Sequence, residues 1–314
     1  MNTTTEENVK NIGGSLIKTT GIKKSFYIGL QNEVEILKGI DIEIDKGDFV
    51  IIFGPSGCGK STLLHTLLGL EPPTAGKIMV ENNDYYAMNE DKRAEYRRHH
   101  VGIIYQQPLW ISALNIGGNV EFTLRLLDYD DDRMNKRVDE VLGMVGMAEW
   151  KHYRPQELSS GQQQKVSLAR ALSIDPVIIV ADEPTGNLDT ISGQQLIEHF
   201  LEFNKKGITI IMVTHDLEYL KYGNKIIHMI DGMVVEQYVG RAGQSFNKEV
   251  QGKKSQGGSA DSELGVNVRD PKFLSGLKGA HDGKIIQLID HVDTPKDAPA
   301  AKPGEVKKEE KVKK

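Results

Sequence analysis

Apolar residues follow two rhythms along this chain. From Leu16 to Val50 the runs are short and alternate with polar positions, broken by Gly29 and by Asp45-Lys46-Gly47-Asp48. That pattern predicts a small antiparallel sheet of hairpins. Beyond it come wholly apolar runs of strand length: Phe49–Phe53, Val101–Tyr105, Val177–Ala181 and Ile208–Val213. A further short strand is predicted at Lys77–Val80. The stretches between these runs have helical spacing. Helices are predicted from Ser61 to Leu70, closed near Gly69 and Pro72-Pro73, over residues 90–99, from Ser160 to Ser173, and over about 190–205. Residues 115–153 keep helical spacing with charges between, around an acidic turn at Asp128–Asp132, and predict a helical subdomain. Lys225–Tyr238 reads as a hairpin about Asp231-Gly232. Strands alternating with helices imply an α/β fold with a mainly parallel core sheet.

The rhythm fades at both ends. Residues 1–15 read as a flexible leader, polar and acidic, without the basic and apolar regions of a signal peptide. From Gly240 onward the chain is rich in Gly, Lys, Ser, Asp and Pro, and predicts a largely disordered tail over 241–314. Its single apolar island, Ile285–Ile289, reads as a docking segment without partner strands. The tail accounts for the modest apolar fraction of 39%. It also divides the charge: residues 241–314 carry 15 Lys and Arg against 11 Asp and Glu, whereas residues 1–240 carry 24 against 33. An acidic domain is a poor polyanion binder, so no nucleic acid partner is expected. The lone Cys58 excludes an internal disulfide and fits a reducing compartment. No window reaches 18 consecutive apolar residues, so any membrane role must come through a partner.

Chemistry enters at the junction of the Phe49–Phe53 strand and the helix after it. There stands Gly54-Pro55-Ser56-Gly57-Cys58-Gly59-Lys60-Ser61-Thr62, the phosphate-cradling P-loop pattern in the strand–helix setting it requires. The glycines let the backbone wrap a phosphate with N–H groups inward, and the helix N-terminus adds positive potential. Lys60 is placed to reach the β- and γ-phosphates, and the Ser61 hydroxyl to ligate Mg²⁺. Glycine-rich turns also occur without a ligand, but the fixed positions and their flanks together decide for a nucleoside triphosphate. A second apolar strand, Val177–Ala181, ends in Asp182-Glu183. Two carboxylates at the C-terminal edge of a strand are how an α/β sheet presents a Mg²⁺ site beside a P-loop. Asp182 would hold the Mg²⁺ shell and Glu183 would polarise the attacking water.

The order of these elements resembles the ABC-type ATPases, the nucleotide-binding subunits of ABC transporters, over about residues 16–240. Leu158-Ser159-Ser160-Gly161-Gln162 is similar to their LSGGQ signature, with Ser160 where the family has Gly. Ser159 is a plausible N-cap, and Ser160 and Gly161 leave backbone N–H groups free for an anion at a helix N-terminus. The resemblance implies further roles. Gln106, with Gln107 as the alternative, falls on the Q-loop glutamine that joins the Mg²⁺ shell, senses the γ-phosphate and faces the membrane partner. Gly186-Asn187-Leu188-Asp189 matches the D-loop, and His215 the switch histidine at the γ-phosphate. Phe26, or else Tyr27, is the aromatic expected to stack on adenine. Cys58 takes a variable P-loop position and reads as a small filler, although a thiol at a helix N-terminus can be reactive.

Within the family, Val34–Ile40 and Glu183–Asp189 look like the branch of lipoprotein-releasing ATPases, macrolide and peptide exporters of the MacB type, and the cell-division ATPase FtsE. The resemblance implies that ATP and Mg²⁺ are sandwiched between two copies of the domain. The Ser159–Gln162 turn of one copy would complete the P-loop site of the other. It implies integral membrane permease subunits as partners and a cytoplasmic place on the inner face of the membrane through them. An exporter or releasing ATPase is the first expectation, and an FtsE-like mechanotransmitter is the alternative. A chromosome- or ribosome-associated ATPase would need a coiled-coil insertion or a second ATPase domain that this length does not hold. A plain P-loop kinase leaves Ser159–Gln162 and His215 unexplained.

Overall fold

The computed structural model describes residues 15–240. The expectations for the leader before Ser15 and for the tail with its Ile285–Ile289 island lie outside the described residues.

Two sheets carry the domain. In the first, β1 (Ser15–Phe26) lies between β2 (Val34–Ile40) and a later strand, with β3 (Glu43–Asp45) pairing its opening residues. The chain then leaves through β4 (Phe49–Phe53), and returns as β5 (Ala75–Val80) and β6 (Asn83–Asp84), which complete the antiparallel sheet. Several short hairpin strands were expected between Leu16 and Val50. Two of them form, β2 and β3, and the first is a single 12-residue strand, β1, at the centre of the sheet. Register slips at Ile22/Lys23 and Lys24/Ser25 absorb the breaks in alternation that read as strand ends.

The second sheet adds β7 (Val101–Tyr105), β8 (Ile178–Asp182), β9 (Thr209–Thr214), β10 (Lys225–Ile230) and β11 (Met233–Val239) to β4, in the order β11-β10-β4-β9-β8-β7. Every neighbour pair is parallel except β10–β11. All five β4 residues and all six of β9 are buried, as parallel strands covered on both faces must be. The register aligns the strand ends: Phe53 pairs with Thr214, Val213 with Asp182, and Asp182 with Tyr105. The chain therefore leaves β4, β9, β8 and β7 along one edge, where open α/β sheets bind their ligands.

Six α-helices occur among the described residues, four of them packed against this sheet. α1 (Lys60–Leu67) follows β4 and stops short of the expected Leu70. Gly69 turns left-handed, and Leu70 N–H donates back to His65 O, which closes the helix end early. α2 (Glu90–His100) precedes β7. α3 (Ile116–Arg125) and α4 (Asp131–Met144) bury Ile116, Val120 and Leu124 and Met134, Val138, Val141 and Leu142, and both pack on α5 (Ser160–Leu172). Asn115 caps α3 and Asp130 caps α4, so the acidic run around Asp128–Asp132 is a helix start with Asp131 and Asp132 at the positive end of its dipole. α6 (Thr190–Lys205) lies between β8 and β9.

The hairpin about Asp231-Gly232 forms where the sequence predicts it, with both residues at positive φ (47° and 75°), as a tight two-residue turn demands. Its tip is wedged between the sheets. Gly232 N–H donates to Cys58 O at 3.0 Å, and Gly232 O accepts from Lys38 N–H at 2.8 Å. A Cβ on residue 232 would stand 2.1 Å from Ile36 O. Gly232→Ala should therefore cost about 2–3 kcal/mol of stability, from positive φ and backbone overlap together. Urea unfolding of the two proteins measures this, and equal midpoints would mean that the turn is not packed there.

Candidate functional site

The Gly54–Gly59 turn rises from β4 with Gly54, Gly57 and Gly59 at positive φ. Gly59 opens α1 without a side-chain cap, so the first N–H groups of that helix have no capping partner. A ring of unpaired amides around glycine backbone is the donor set that a phosphate chain fits. Lys60 is 5% exposed, and its ammonium donates to Gly54 O at 2.8 Å and Pro55 O at 3.0 Å. The charge thus lies over the loop itself. Cys58 is buried in the core and burial pushes its thiol pKa up, so it is the filler rather than the reactive alternative.

Across the row of strand ends, the Ser61 hydroxyl donates to Asp182 Oδ1 at 3.2 Å. Burial raises the Asp182 pKa, the Ser61 hydrogen bond opposes the rise, and the Glu183 carboxylate adds to it. A hydroxyl and a half-buried carboxylate that carries an uncompensated desolvation cost suit a hard divalent cation. Glu183 follows at φ 46°, a conformation few side chains adopt, and its N–H donates to Val213 O at 3.0 Å. Glu183 Oε2 lies 3.3 Å from His215 Nδ1, at the end of β9. Gln106 and Gln107 are both exposed after β7. Gln106 turns its amide to the loop after Glu183, where a Cβ on Gly186 would stand 2.7 Å from Gln106 Nε2. Lys60, Ser61, Asp182, Glu183, Gln106 and His215 thus gather at one sheet edge.

The Ser159–Gln162 turn is elsewhere. Ser159 Oγ accepts from Gln162 N–H at 3.3 Å while Ser159 N–H donates to Gln162 Oε1 at 2.9 Å, a reciprocal capping box. Ser160 points to solvent, so its departure from Gly meets no obstacle within this chain. Among the described residues no hydrogen bond joins this turn to the Gly54–Thr62 loop. Asp189 caps α6, accepting from Ser192 N–H at 3.0 Å and Ser192 Oγ at 2.7 Å, and these bonds lower its pKa. Phe26 ends β1 half-buried, with the Lys24 ammonium 4.9 Å from its ring centre, and Tyr27 is 62% exposed.

Sequence reasoning missed the rest of the glutamine run. Gln164 is 2% exposed, and its amide donates to Tyr105 O and Gln106 O, both at 2.9 Å. Gln163 accepts from Trp110 Nε1 at 2.8 Å, and the Arg170 guanidinium lies over the same indole while donating to Leu109 O at 2.6 Å. One helix, α5, therefore carries the Ser159–Gln162 turn and grips the Gln106–Trp110 segment at three points. Only the amphipathic spacing of α5 hinted at contacts of this reach.

A family model described as ABC transporter matches residues 37–186. An ABC transporter ATP-binding protein of Methanocaldococcus jannaschii is 47% identical over 200 residues, covering 64% of this chain and 89% of the relative. The lipoprotein-releasing system ATP-binding protein LolD 1 of Rhodopseudomonas palustris is 38% identical, covering 70% of this chain and 98% of the relative. The macrolide export ATP-binding/permease protein MacB of Wolinella succinogenes is 40% identical over 71% of this chain but only 34% of its own length. Among solved structures, a dimeric ATP-binding cassette in a post-hydrolysis state bound to ADP and Pi superimposes with a TM-score of 0.67 at 34% identity, covering 72% of this chain and 99% of that one. The chain belongs to the ABC transporter ATP-binding proteins, and it is an ATP-binding, ATP-hydrolysing transporter subunit.

Gln164→Leu should cost about 1–3 kcal/mol, because two inward carbonyls lose their donor. Denaturant unfolding reads this, and an unchanged midpoint would show that water replaces the amide without loss.

Proposed function

We propose that this subunit closes on ATP as a head-to-tail dimer and so drives separately encoded membrane permease subunits, in export or release of a lipoprotein, peptide or drug-like substrate. The observation that carries the reading is the single edge along which β4, β9, β8 and β7 deliver Lys60, His215, Asp182 with Glu183, and Gln106. The P-loop amides and Lys60 bind the β- and γ-phosphates. Lys60 first has to leave the carbonyls of Gly54 and Pro55, a local exchange of one set of acceptors for another. Ser61, Asp182 and Gln106 would hold Mg²⁺, whose charge offsets that of the phosphates. Glu183 takes the proton of the attacking water, and His215 steadies both the carboxylate and the γ-phosphate. Phe26, at the strand end opposite Val34, stacks on the base, with the more exposed Tyr27 as the alternative.

The second copy follows from the Ser159–Gln162 turn, an anion-ready helix start that bonds to nothing at its own P-loop. The solved relative described as a dimer supports that reading. The exporter assignment is supported by the lipoprotein-releasing and macrolide-export relatives, and permeases in other chains by the near-complete match to the LolD protein. No helix among the described residues is long and apolar enough to cross a membrane. The surface offered to a permease is the segment after Gln106, where Leu109 (65%) and Ile111 (38%) are exposed beside the anchored Trp110.

Glu183→Gln should keep ATP affinity while turnover falls at least about a hundredfold, the scale of general-base catalysis. Near-normal turnover would remove Glu183 from the base role. Leu109→Asp should leave the ATPase of the purified chain intact and abolish co-purification with membrane subunits. Retained membrane capture would move the docking surface elsewhere. The protein captured with the wild-type chain distinguishes the two modes, since a permease whose substrate stimulates ATP turnover supports export and an activator of wall hydrolases supports mechanotransmission.

A further inference from the structure

We infer that Gln164 is a positioning residue for the Mg²⁺ site: its one amide fixes the backbone at Gln106, and with it the direction in which the Gln106 side chain leaves the sheet edge. The inference rests on the proposed reading of Gln106 as a Mg²⁺ ligand. Gln164 lies in the N-terminal half of α5 and is 2% exposed. Its Nε2 donates to Tyr105 O and to Gln106 O, both at 2.9 Å, which uses both hydrogens of the amide. Its Oε1 is buried with no hydrogen-bond partner among the described residues. Both bonds of this side chain are therefore donations to those two carbonyls.

The two carbonyls belong to the peptide planes on either side of the Gln106 Cα. A peptide unit is planar, so holding both planes holds φ and ψ of the residue between them. With φ and ψ set, the Cα–Cβ direction of Gln106 is set as well. Strand pairing cannot do this, because it ends with Tyr105 opposite Asp182. Core packing cannot either, since Gln106 is exposed. The bonds from Trp110 to Gln163 and from Arg170 to Leu109 O act beyond Pro108 and leave these two planes free. The side chain so directed ends against the loop after Glu183, where a Cβ on Gly186 would stand 2.7 Å from Gln106 Nε2.

The helix that carries the amide is itself seated on the strand it serves. A Cβ on Gly102, in β7, would stand 2.7 Å from Ala171 O, so α5 lies directly on the β7 backbone. Just past the end of α5, the Ser173 hydroxyl shares a hydrogen bond of 2.8 Å with the Thr123 hydroxyl of α3. The same helix opens with the Ser159–Gln162 turn, and Gln164 joins that helix to Gln106.

Gln164→Met keeps the length and volume of the side chain and removes both donors. In the full-length chain its kcat should fall about tenfold, and the gain in affinity that Mg²⁺ brings to the non-hydrolysable analogue AMP-PNP should shrink about tenfold, the scale on which residues behind a metal ligand act. Affinity for AMP-PNP in EDTA should stay within about twofold, because the P-loop amides and Lys60 are untouched. Gln106→Ala should lose at least as much, and the double variant should lose no more than Gln106→Ala alone. Melting temperatures are measured alongside. Should the Met variant melt below the assay temperature, Gln164→Asn takes its place with the same expected losses, since it keeps the amide but draws it back by one methylene. A kcat for the Gln164 variant within about twofold of wild type, multiplied losses in the double variant, or affinity in EDTA falling together with affinity in Mg²⁺ would each overturn the inference. The outcome for Gln106→Ala separates the two readings. Normal turnover there defeats Gln106 as a ligand, whereas a slow Gln106→Ala beside an unimpaired Gln164 variant defeats the positioning role alone.

Discussion

Parallel strand register is the constraint on which everything else in this molecule depends. Evenly spaced backbone bonds hold β4, β9, β8 and β7 in a fixed stagger. Because of that stagger, four loops from distant parts of the sequence begin at one edge. A slip of one residue in β8 would turn Asp182 to the opposite face of the sheet and exchange it with Ala181. The sheet is secure against such slips because both its faces are buried. Isoleucine and valine fill β4, β8 and β9 with almost no exposure. Burial of that kind sets the register by hydrophobic free energy, and the chemistry at the edge inherits its precision.

The edge is held from outside by groups that have no part in chemistry. The Asp231-Gly232 turn ties the P-loop carbonyl of Cys58 to β2 through Lys38, so the antiparallel sheet steadies the phosphate loop from behind. On the far side α5 performs a similar service for the Gln106 segment, and the three glutamines divide the work. Gln162 closes the cap of its own helix, Gln163 holds Trp110, and Gln164 holds the carbonyls of Tyr105 and Gln106. Three chemically identical neighbours thus serve three directions, because successive helix positions are turned by about 100°. The segment that carries Leu109 and Trp110 is thus joined to the Ser159–Gln162 turn through one helix of 13 residues.

Much of this was legible in the sequence wherever the cause is local. Val101–Tyr105 reads as a buried strand because it has no polar face, and it forms with those bounds. Asp231-Gly232 reads as a turn because only such residues accept two positive φ values in succession. The P-loop and Asp182-Glu183 are legible for the same reason, since each is a short pattern whose neighbours supply its meaning. The long β1 was not legible, because its bulges break alternation as a strand end would. Gln164 and Trp110 were not legible either. Gln164 acts on a carbonyl 58 residues away, and nothing in a local window distinguishes it from Gln162 or Gln163.

The P-loop and the Ser159–Gln162 turn stand in an instructive contrast. Both are helix starts with free N–H groups, and one chain carries both without joining them by a hydrogen bond. The P-loop already has its cation and its carboxylates around it, so its helix start belongs to a finished half of a site. The Ser159–Gln162 turn has a cap, a solvent-facing Ser160 and no acidic neighbour in its first helical turn. Unpaired amides at such a start favour an anion, and the anion this protein handles is the γ-phosphate. In the proposed dimer, a second copy is the source of that phosphate. Closure of two copies would give each helix start a charge that it lacks when alone. Hydrolysis and release of phosphate would remove that charge from the joint between them. On the proposed reading, the loss of an anion shared by two helix ends would reopen the dimer, and α5, bonded to the segment that carries Leu109, would pass the movement on.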